Sequence, residues 1–214
     1  MNKNAINNNI FTKFLPEDLH SKLVGLLLSD GGIYRTSKTS NCRYEMSFGT
    51  KYKQFAESIG QLFKEYMKNP VKEVQVKGVN KVYKNYRLKT MTLPIFNIYH
   101  DIFYVYNTVT NKYVKIVPDL ILDFMNPIVL AYLIMGDGNY DTLRHRVRIY
   151  TNSFSKEDVV KLQKAINKNL GIEVGVLHDR KDQWILTIGV KQLPKLQQLV
   201  SPYFEPSMLY RINM

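Results

Sequence analysis

A short apolar pattern occurs twice in this chain, about one hundred residues apart, and it limits the possible folds more than anything else in the sequence. Leu15-Pro16-Glu17-Asp18 reads as a helix start, with Pro at the first helical position and acids facing the positive end of the dipole. The helix then runs apolar through Leu23-Val24-Gly25-Leu26-Leu27-Leu28 to Ser29-Asp30-Gly31. The second copy opens on Asn126-Pro127, with Asn as cap, and runs through Leu130-Ala131-Tyr132-Leu133-Ile134-Met135 to Gly136-Asp137-Gly138. A helix that is apolar nearly all round is buried on more than one side. Small residues at Gly25, Ser29, Ala131 and Gly136 would let two such helices approach closely. That contact would bring Asp30 and Asp137 to one edge of the molecule.

An aspartate in the last turn opposes the negative end of the helix dipole, at a cost of roughly 0.3–1 kcal/mol. Asp-Gly is also a common turn former, and one copy needs no further explanation. Two copies at matching places in a repeat do. A carboxylate on a negative helix end attracts a hard cation, and Mg²⁺ prefers one or two carboxylates completed by water and phosphate oxygens.

The segments beyond the two copies also match. Tyr44, Met46 and Phe48 alternate with Arg43, Glu45 and Ser47, as Val147 and Ile149 do with Arg146 and Arg148, so each copy leads into a half-buried strand. Helical patterns come next over 53–67 and 155–169, then strands over 71–77 with 82–90 and 172–177 with 184–188. Each half closes with an amphipathic helix, over 93–106 and 190–204. The order is α-β-α-β-β-α, or α-β-β-α-β-β-α if a further short strand succeeds each motif helix. The expected organisation is an N-terminal extension (1–14), a first half (15–111), a linker (112–123) and a second half (124–214), the halves related by a pseudo-two-fold axis.

The 214 residues carry a net charge of +12, spread along the chain, which points to a polyanionic partner such as nucleic acid. One cysteine, Cys42, excludes an internal disulfide framework and a Cys-based zinc site. No apolar run approaches the ~20 residues of a membrane span, so no membrane partner is expected. The four histidines lack ligand spacing, and no phosphate-cradling Gly-Lys-Ser/Thr loop is present. The abundance of Asn, Lys, Ile and Tyr fits AT-rich coding DNA, as in many organelle genomes, and the N-terminus shows no import pattern. A mitochondrial or other organellar protein made in place is the expectation.

Leu23-Val-Gly-Leu-Leu-Leu-Ser-Asp-Gly31 and Leu130-Ala-Tyr-Leu-Ile-Met-Gly-Asp-Gly138 resemble the paired motifs of the LAGLIDADG homing endonucleases, single-chain two-motif type. The resemblance covers nearly all of the chain beyond residue 15. It implies an α+β fold, two antiparallel sheets forming a DNA-binding saddle with the two motif helices packed at its centre. It implies a monomer, needing no protein partner, that hydrolyses both DNA strands across the minor groove at a long, weakly palindromic site, leaving short 3′ overhangs.

Carried over by position, Asp30 and Asp137 hold the metal with the backbone carbonyls of Ser29 and Gly136. The ion implied is Mg²⁺, with Mn²⁺ as a substitute and Ca²⁺ binding without supporting cleavage. Lys115 and Arg211 fall where the family has a basic residue near the end of each half. Arg211 stands where Lys is expected, and Arg cannot lose its proton at working pH, so it acts by electrostatics or water positioning. Asn152 falls at a water-positioning site whose first-half counterpart is Gly49. Strand alternation gives a DNA-facing set of Arg43, Glu45, Ser47, Tyr83, Asn85, Arg87 and Lys89, with Lys77, in the first half and Arg144, Arg146 and Arg148 in the second. Loop residues Arg35, Lys38, Arg180 and Lys181 would extend it. Two other roles fit the same fold: an RNA maturase acting on its host intron RNA, and a catalytically inactive DNA-binding protein.

Overall fold

A computed structural model describes residues 14–77 and 82–214. The expected N-terminal extension lies almost wholly outside the described residues. The chain divides into two compact units, residues 1–20 with 30–101 and residues 21–29 with 102–214. The divisions fall at 20/21 inside the first motif helix, at 29/30 just past it, and at 101/102, ahead of the stretch 112–123.

The first half runs α1 (Glu17–Leu27), β1 (Gly32–Arg35), β2 (Cys42–Gly49), α2 (Lys53–Leu62), β3 (Lys72–Lys77), β4 (Val82–Lys89) and α3 (Asn97–Phe103). A hairpin of β5 (Tyr104–Asn107) and β6 (Lys112–Lys115) comes next, then a short α4 (Ile121–Phe124). The second half runs α5 (Pro127–Asp137), β7 (Gly138–Asp141), β8 (Arg146–Ile149), α6 (Lys156–Leu170), β9 (Gly175–Arg180), β10 (Gln183–Ile188) and α7 (Leu193–Val200), with a closing 3-10 segment, Pro206–Ile212. Both halves are α-β-β-α-β-β-α, so a short strand does succeed each motif. Each half has one four-stranded antiparallel sheet, of order β1-β2-β4-β3 and β7-β8-β10-β9. The fold is α+β, as the sequence led us to expect.

Two elements differ from the sequence expectation. The helix expected over 93–106 ends at Phe103, because Tyr104–Asn107 pairs with Lys112–Lys115 inside the stretch read as linker. Asn107 drives the reversal: its side-chain oxygen accepts from the backbone N–H groups of Val109 and Thr110, and Asn111 closes the turn at φ 52°. The strand expected over 172–177 begins at Gly175; Ile172 and Val174 are buried ahead of it.

In the second unit, α5 begins where Asn126 accepts from the N–H of Val129, and the same amide donates to Ser21 Oγ at 2.9 Å. Leu23, Val24, Leu26 and Leu27 of α1 and Val129 through Met135 of α5 are buried. Within this unit the two motif helices meet at glycine. A Cβ on Gly25 would stand 2.5 Å from the Val129 carbonyl oxygen and 2.6 Å from Tyr132 Cβ; one on Gly136 would stand 2.2 Å from Ser29 Oγ. The sheet of this unit turns Val147, Ile149, Leu186 and Ile188 to its core, and α6 buries Val159, Leu162, Ala165 and Ile166. Ser155 caps α6 by accepting from the Asp158 N–H, and Gly171 ends it at φ 61°.

In the first unit Tyr44, Met46 and Phe48 alternate inward, with Phe48 edge-on to Phe55 and Tyr44 5.0 Å from Phe63. The Tyr99 hydroxyl accepts from the Leu15 N–H and lies 2.9 Å from His20 Nδ1. Burial drives the His20 pKa down to about 4.

Both features bear on stability. Gly25→Ala inserts a methyl where backbone blocks it, so it should cost about 1–3 kcal/mol, read as a melting temperature several degrees below wild type. His20 is neutral in the fold, and the unfolded chain takes up its proton near pH 6.5. Its contribution is complete above pH 6.5 and is lost as pH falls towards 4, up to about 3 kcal/mol. Denaturant titrations of wild type and His20→Gln across that window should diverge in this direction, and parallel curves would refute it.

Candidate nucleic-acid interface and active site

The two motif ends present their aspartates differently. Past Leu27 the chain tightens: the Ser29 N–H and Oγ both donate to the Leu26 carbonyl. Asp30 is then exposed and lines a groove of about 410 Å³ with Tyr34, Glu45, Ser47, Val74 and Arg87. Lys115, at the end of β6, donates to the carbonyls of Leu27 at 3.0 Å and Ser29 at 2.8 Å. This cation neutralises the negative end of α1, and the Ser29 carbonyl, expected as a metal ligand, is already engaged by it.

Asp137 is the last residue of α5 and is half-buried, its backbone carbonyl accepting from the Tyr150 N–H at 2.9 Å. Arg211 is 8% exposed, and its Nη1 donates to the Gly138 carbonyl. Lys115 and Arg211 thus play one structural part, a cation seated on backbone carbonyls where a motif ends. Asn152 donates to Gln183 Oε1 at 3.0 Å and to Asp179 Oδ2 at 3.4 Å. Its Oδ1 is buried and without a hydrogen-bond partner among the described residues. The structure therefore ties Asn152 to the β9–β10 hairpin.

Register decides which side chains share a sheet face. In the first sheet Glu45 opposes Lys89, Ser47 opposes Arg87, and Tyr34 opposes Arg43. Lys72, Val74 and Val76 of β3 oppose Arg87, Asn85 and Tyr83. The expected row of Arg43, Glu45, Ser47, Tyr83, Asn85, Arg87 and Lys89 does lie on one face. Arg35 and Lys77 register on the other, with Cys42 and Val82. Arg35 turns its Nε to Cys42 Sγ at 3.3 Å and its Nη2 to Asp101 at 3.7 Å. Lys38 is exposed in the turn after β1.

Sequence reading missed Lys68 and Lys72. With Arg43, Arg87 and Lys89 they line a groove of about 490 Å³ that holds five cations and no carboxylate. Lys72 went unnoticed because it shares a parity with Val74 and Val76, while Glu73, Gln75 and Lys77 make the other parity wholly polar, so alternation assigns Lys72 to the apolar face.

In the second sheet Arg146 and Arg148 share a face with Asp141 and Asn139. Arg144 is exposed in the β7–β8 turn, where its N–H donates to Asp141 Oδ1. Arg180 opposes Gln183 and donates to it at 3.1 Å, and Lys181 comes next in the turn at φ 47°.

Each face also holds one acid between two arginines. Glu45 Oε1 accepts from Arg43 and Oε2 from Arg87. Burial pushes the Glu45 pKa up, but the hydrogen bonds and charges of Arg87 and Arg43 outweigh it and hold the group below the usual carboxylate range. Asp141 Oδ2 lies 3.4 Å from Arg146 and 2.9 Å from Arg148. Desolvation opposes its charge; the Arg144 N–H and the two arginines prevail and lower its pKa. Among the described residues no three His, Cys, Asp or Glu cluster as a metal cage, and no helix is long and apolar enough to cross a membrane.

Comparison with known proteins bears on this arrangement. DNA endonuclease I-ChuI of Chlamydomonas applanata is 25% identical over 201 residues, covering 89% of this chain and 92% of the relative. Cytochrome b mRNA maturase bI2 of Saccharomyces cerevisiae is 26% identical over 146 residues, covering 67% of this chain and 34% of the relative. Homing endonuclease I-WcaI, solved bound to its DNA recognition sequence, shares the fold at a TM-score of 0.82 and 24% identity, over 93% of this chain and 87% of that one. The LAGLIDADG DNA endonuclease family matches residues 20–196, a span that includes both helix-Asp-Gly ends, both sheets and Lys115. This chain belongs to the LAGLIDADG DNA endonuclease family.

Proposed function

We propose that the chain is a monomeric, site-specific endonuclease that cuts both strands of double-stranded DNA across the minor groove, leaving short 3′ overhangs. The observation that carries the proposal is the Asp30 groove. An exposed carboxylate at a helix end opens onto the sheet face that bears Ser47 and Arg87, so a metal-binding group and a DNA-reading surface share one depression. The donor set fits a hard divalent cation such as Mg²⁺, with Mn²⁺ as a substitute and Ca²⁺ as a non-catalytic ligand. At each motif end the aspartate, Asp30 or Asp137, supplies hard oxygen donors, and water and phosphate would complete the shell. A metal bound there would polarise the scissile phosphate and lower the pKa of an attacking water.

The chain's own residues have separable parts. Asp30 would hold an ion at the first centre and Asp137 at the second. Lys115, bonded to the carbonyls of Leu27 and Ser29, would balance charge at the first centre and orient water. Arg211 keeps its proton at every working pH, so at the second centre it stabilises developing negative charge without acting as a general base. Asn152, bonded to Gln183, is a water-positioning amide only if substrate binding re-aims it, and its unsatisfied Oδ1 leaves an acceptor for that use. The basic grooves of the first sheet would bind phosphate and base edges.

A second reading, assistance to splicing of a host intron RNA, is favoured by the similarity to the bI2 maturase. The same relative supports an organellar, intron-encoded origin.

Incubating the protein and Mg²⁺ with a plasmid library should yield one recurrent cut site. Asp30→Asn or Asp137→Asn should slow cleavage by roughly 10²-fold or more. Binding without cutting in either Mg²⁺ or Mn²⁺ would sink the nuclease reading. Arg211→Met should slow one strand only, so that supercoiled target plasmid accumulates as nicked circle on a gel. Equal slowing of both strands would show that the two centres do not act separately.

A further inference from the structure

Glu45 was expected to face DNA, yet its geometry leaves little to offer a base. It is 8% exposed, and each carboxylate oxygen accepts from a different arginine: Oε1 from Arg43 on its own strand, Oε2 from Arg87 on β4. Each oxygen is already engaged by a cation and the group is nearly buried, so Glu45 serves poorly as an acceptor for cytosine N4 or as a partner of Asp30 in holding metal. The two arginines are not equivalent. The Arg43 side chain is 18% exposed and the Arg87 side chain 51%. Arg43 gives its Nε to the carboxylate, and Arg87 gives one Nη2 hydrogen, which leaves the second Nη2 hydrogen of an exposed guanidinium to form a two-donor fork with Nη1 or Nε. Arg87 also lines both basic depressions, including the one that holds Asp30.

We propose that Glu45 is a positioning residue for sequence recognition: braced by Arg43, it fixes the guanidinium plane of Arg87 so that Arg87 reads a guanine beside the cleavage site. This rests on the chain being a DNA-binding endonuclease. An arginine with no partner on a basic face swings to whichever phosphate is nearest and adds affinity without information. One held by a carboxylate has half its charge offset and its plane set, which suits two parallel hydrogen bonds to guanine O6 and N7. The second sheet repeats the device with other residues, Asp141 lying between Arg146 and Arg148. In that sheet the acid stands on the edge strand β7, in the first on β2, so the recurrence lies in the chemistry and not in the position.

The test uses the full chain without divalent metal, so that binding is read apart from cutting. A duplex selected by the wild type from a random pool is compared with its single-base variants, for wild type, Arg87→Lys and Glu45→Gln. Both substitutions should flatten discrimination at the same base pair, by about tenfold. Glu45→Gln alone should tighten binding to an unrelated duplex and steepen the salt dependence by about one logarithmic unit per decade.

If Glu45→Gln keeps the preference that Arg87→Lys loses, the proposal is wrong. If it loses preference at a different pair, Glu45 touches a base itself and the proposal is equally wrong. Should Glu45→Gln fail to fold, Arg43→Gln carries the same expectation at the same pair, since it removes the brace and leaves the carboxylate. Failure of the wild type to bind DNA at all would overturn the endonuclease reading as well, before any variant is compared.

Discussion

Where Gly25 faces the carbonyl of Val129 there is no room for one more carbon, and the same holds where Gly136 meets Ser29. Much of the second unit depends on that approach. Two helices this close bury Leu23, Val24, Leu26 and Leu27 on one side and Val129 through Met135 on the other, with Ser21 meeting Asn126 at one end and Ser29 meeting Gly136 at the other. Packing of this density has little slack. The helix ends are therefore fixed, and with them the points from which β7 and the Lys115 and Arg211 contacts start. Asn126 sets the register at the far end by capping its own helix and bonding Ser21 of the other.

The two motif ends share a helix, an aspartate and a nearby cation, and then diverge. Asp30 is exposed on a groove and Asp137 is half-buried. Lys115 reaches two carbonyls of the turn that precedes Asp30, and Arg211 reaches the carbonyl of the residue just after Asp137. A lysine is a flexible point charge that can give up its proton; an arginine is a planar fork that cannot. Chemistry carried out at the two ends would differ for that reason alone, whatever metal or water completes them.

The +12 charge is spread over the whole chain, but the folded surface does not use it evenly. Beside the first sheet Lys68 and Lys72 line a groove with no acid in its lining, and Arg43 and Arg87 at the same groove share Glu45. On the second, Arg146 and Arg148 share Asp141. The lysines suit phosphate, which needs charge and little geometry. The arginine pairs have given up part of their charge for orientation, and base recognition needs orientation most.

Much of this was legible before any coordinates. The two apolar helices with small residues and terminal aspartates, the period-two strands after each, the helical pattern over 155–169 and the row Arg43, Ser47, Asn85, Arg87 are local patterns, set by side-chain periodicity and capping chemistry that act within a few residues. Other features come from cross-chain pairing, which periodicity does not encode. Tyr104–Asn107 left the expected helix because Lys112–Lys115 was available as a partner. Arg35 went to the core face because β1 pairs with β2 in one register and not the next. Lys72 joined the basic groove for the same reason. Glu45 and Asp141 changed from surface charges into arginine clamps, and Asn152 was drawn to Gln183. Composition and periodicity were enough to specify which residues carry charge, carboxylate oxygen at a helix end, and apolar surface. Which of them meet was left to the folded chain, because strand register joins Glu45 to Arg87, 42 positions on, and close helix approach joins Ser21 to Asn126, 105 positions on.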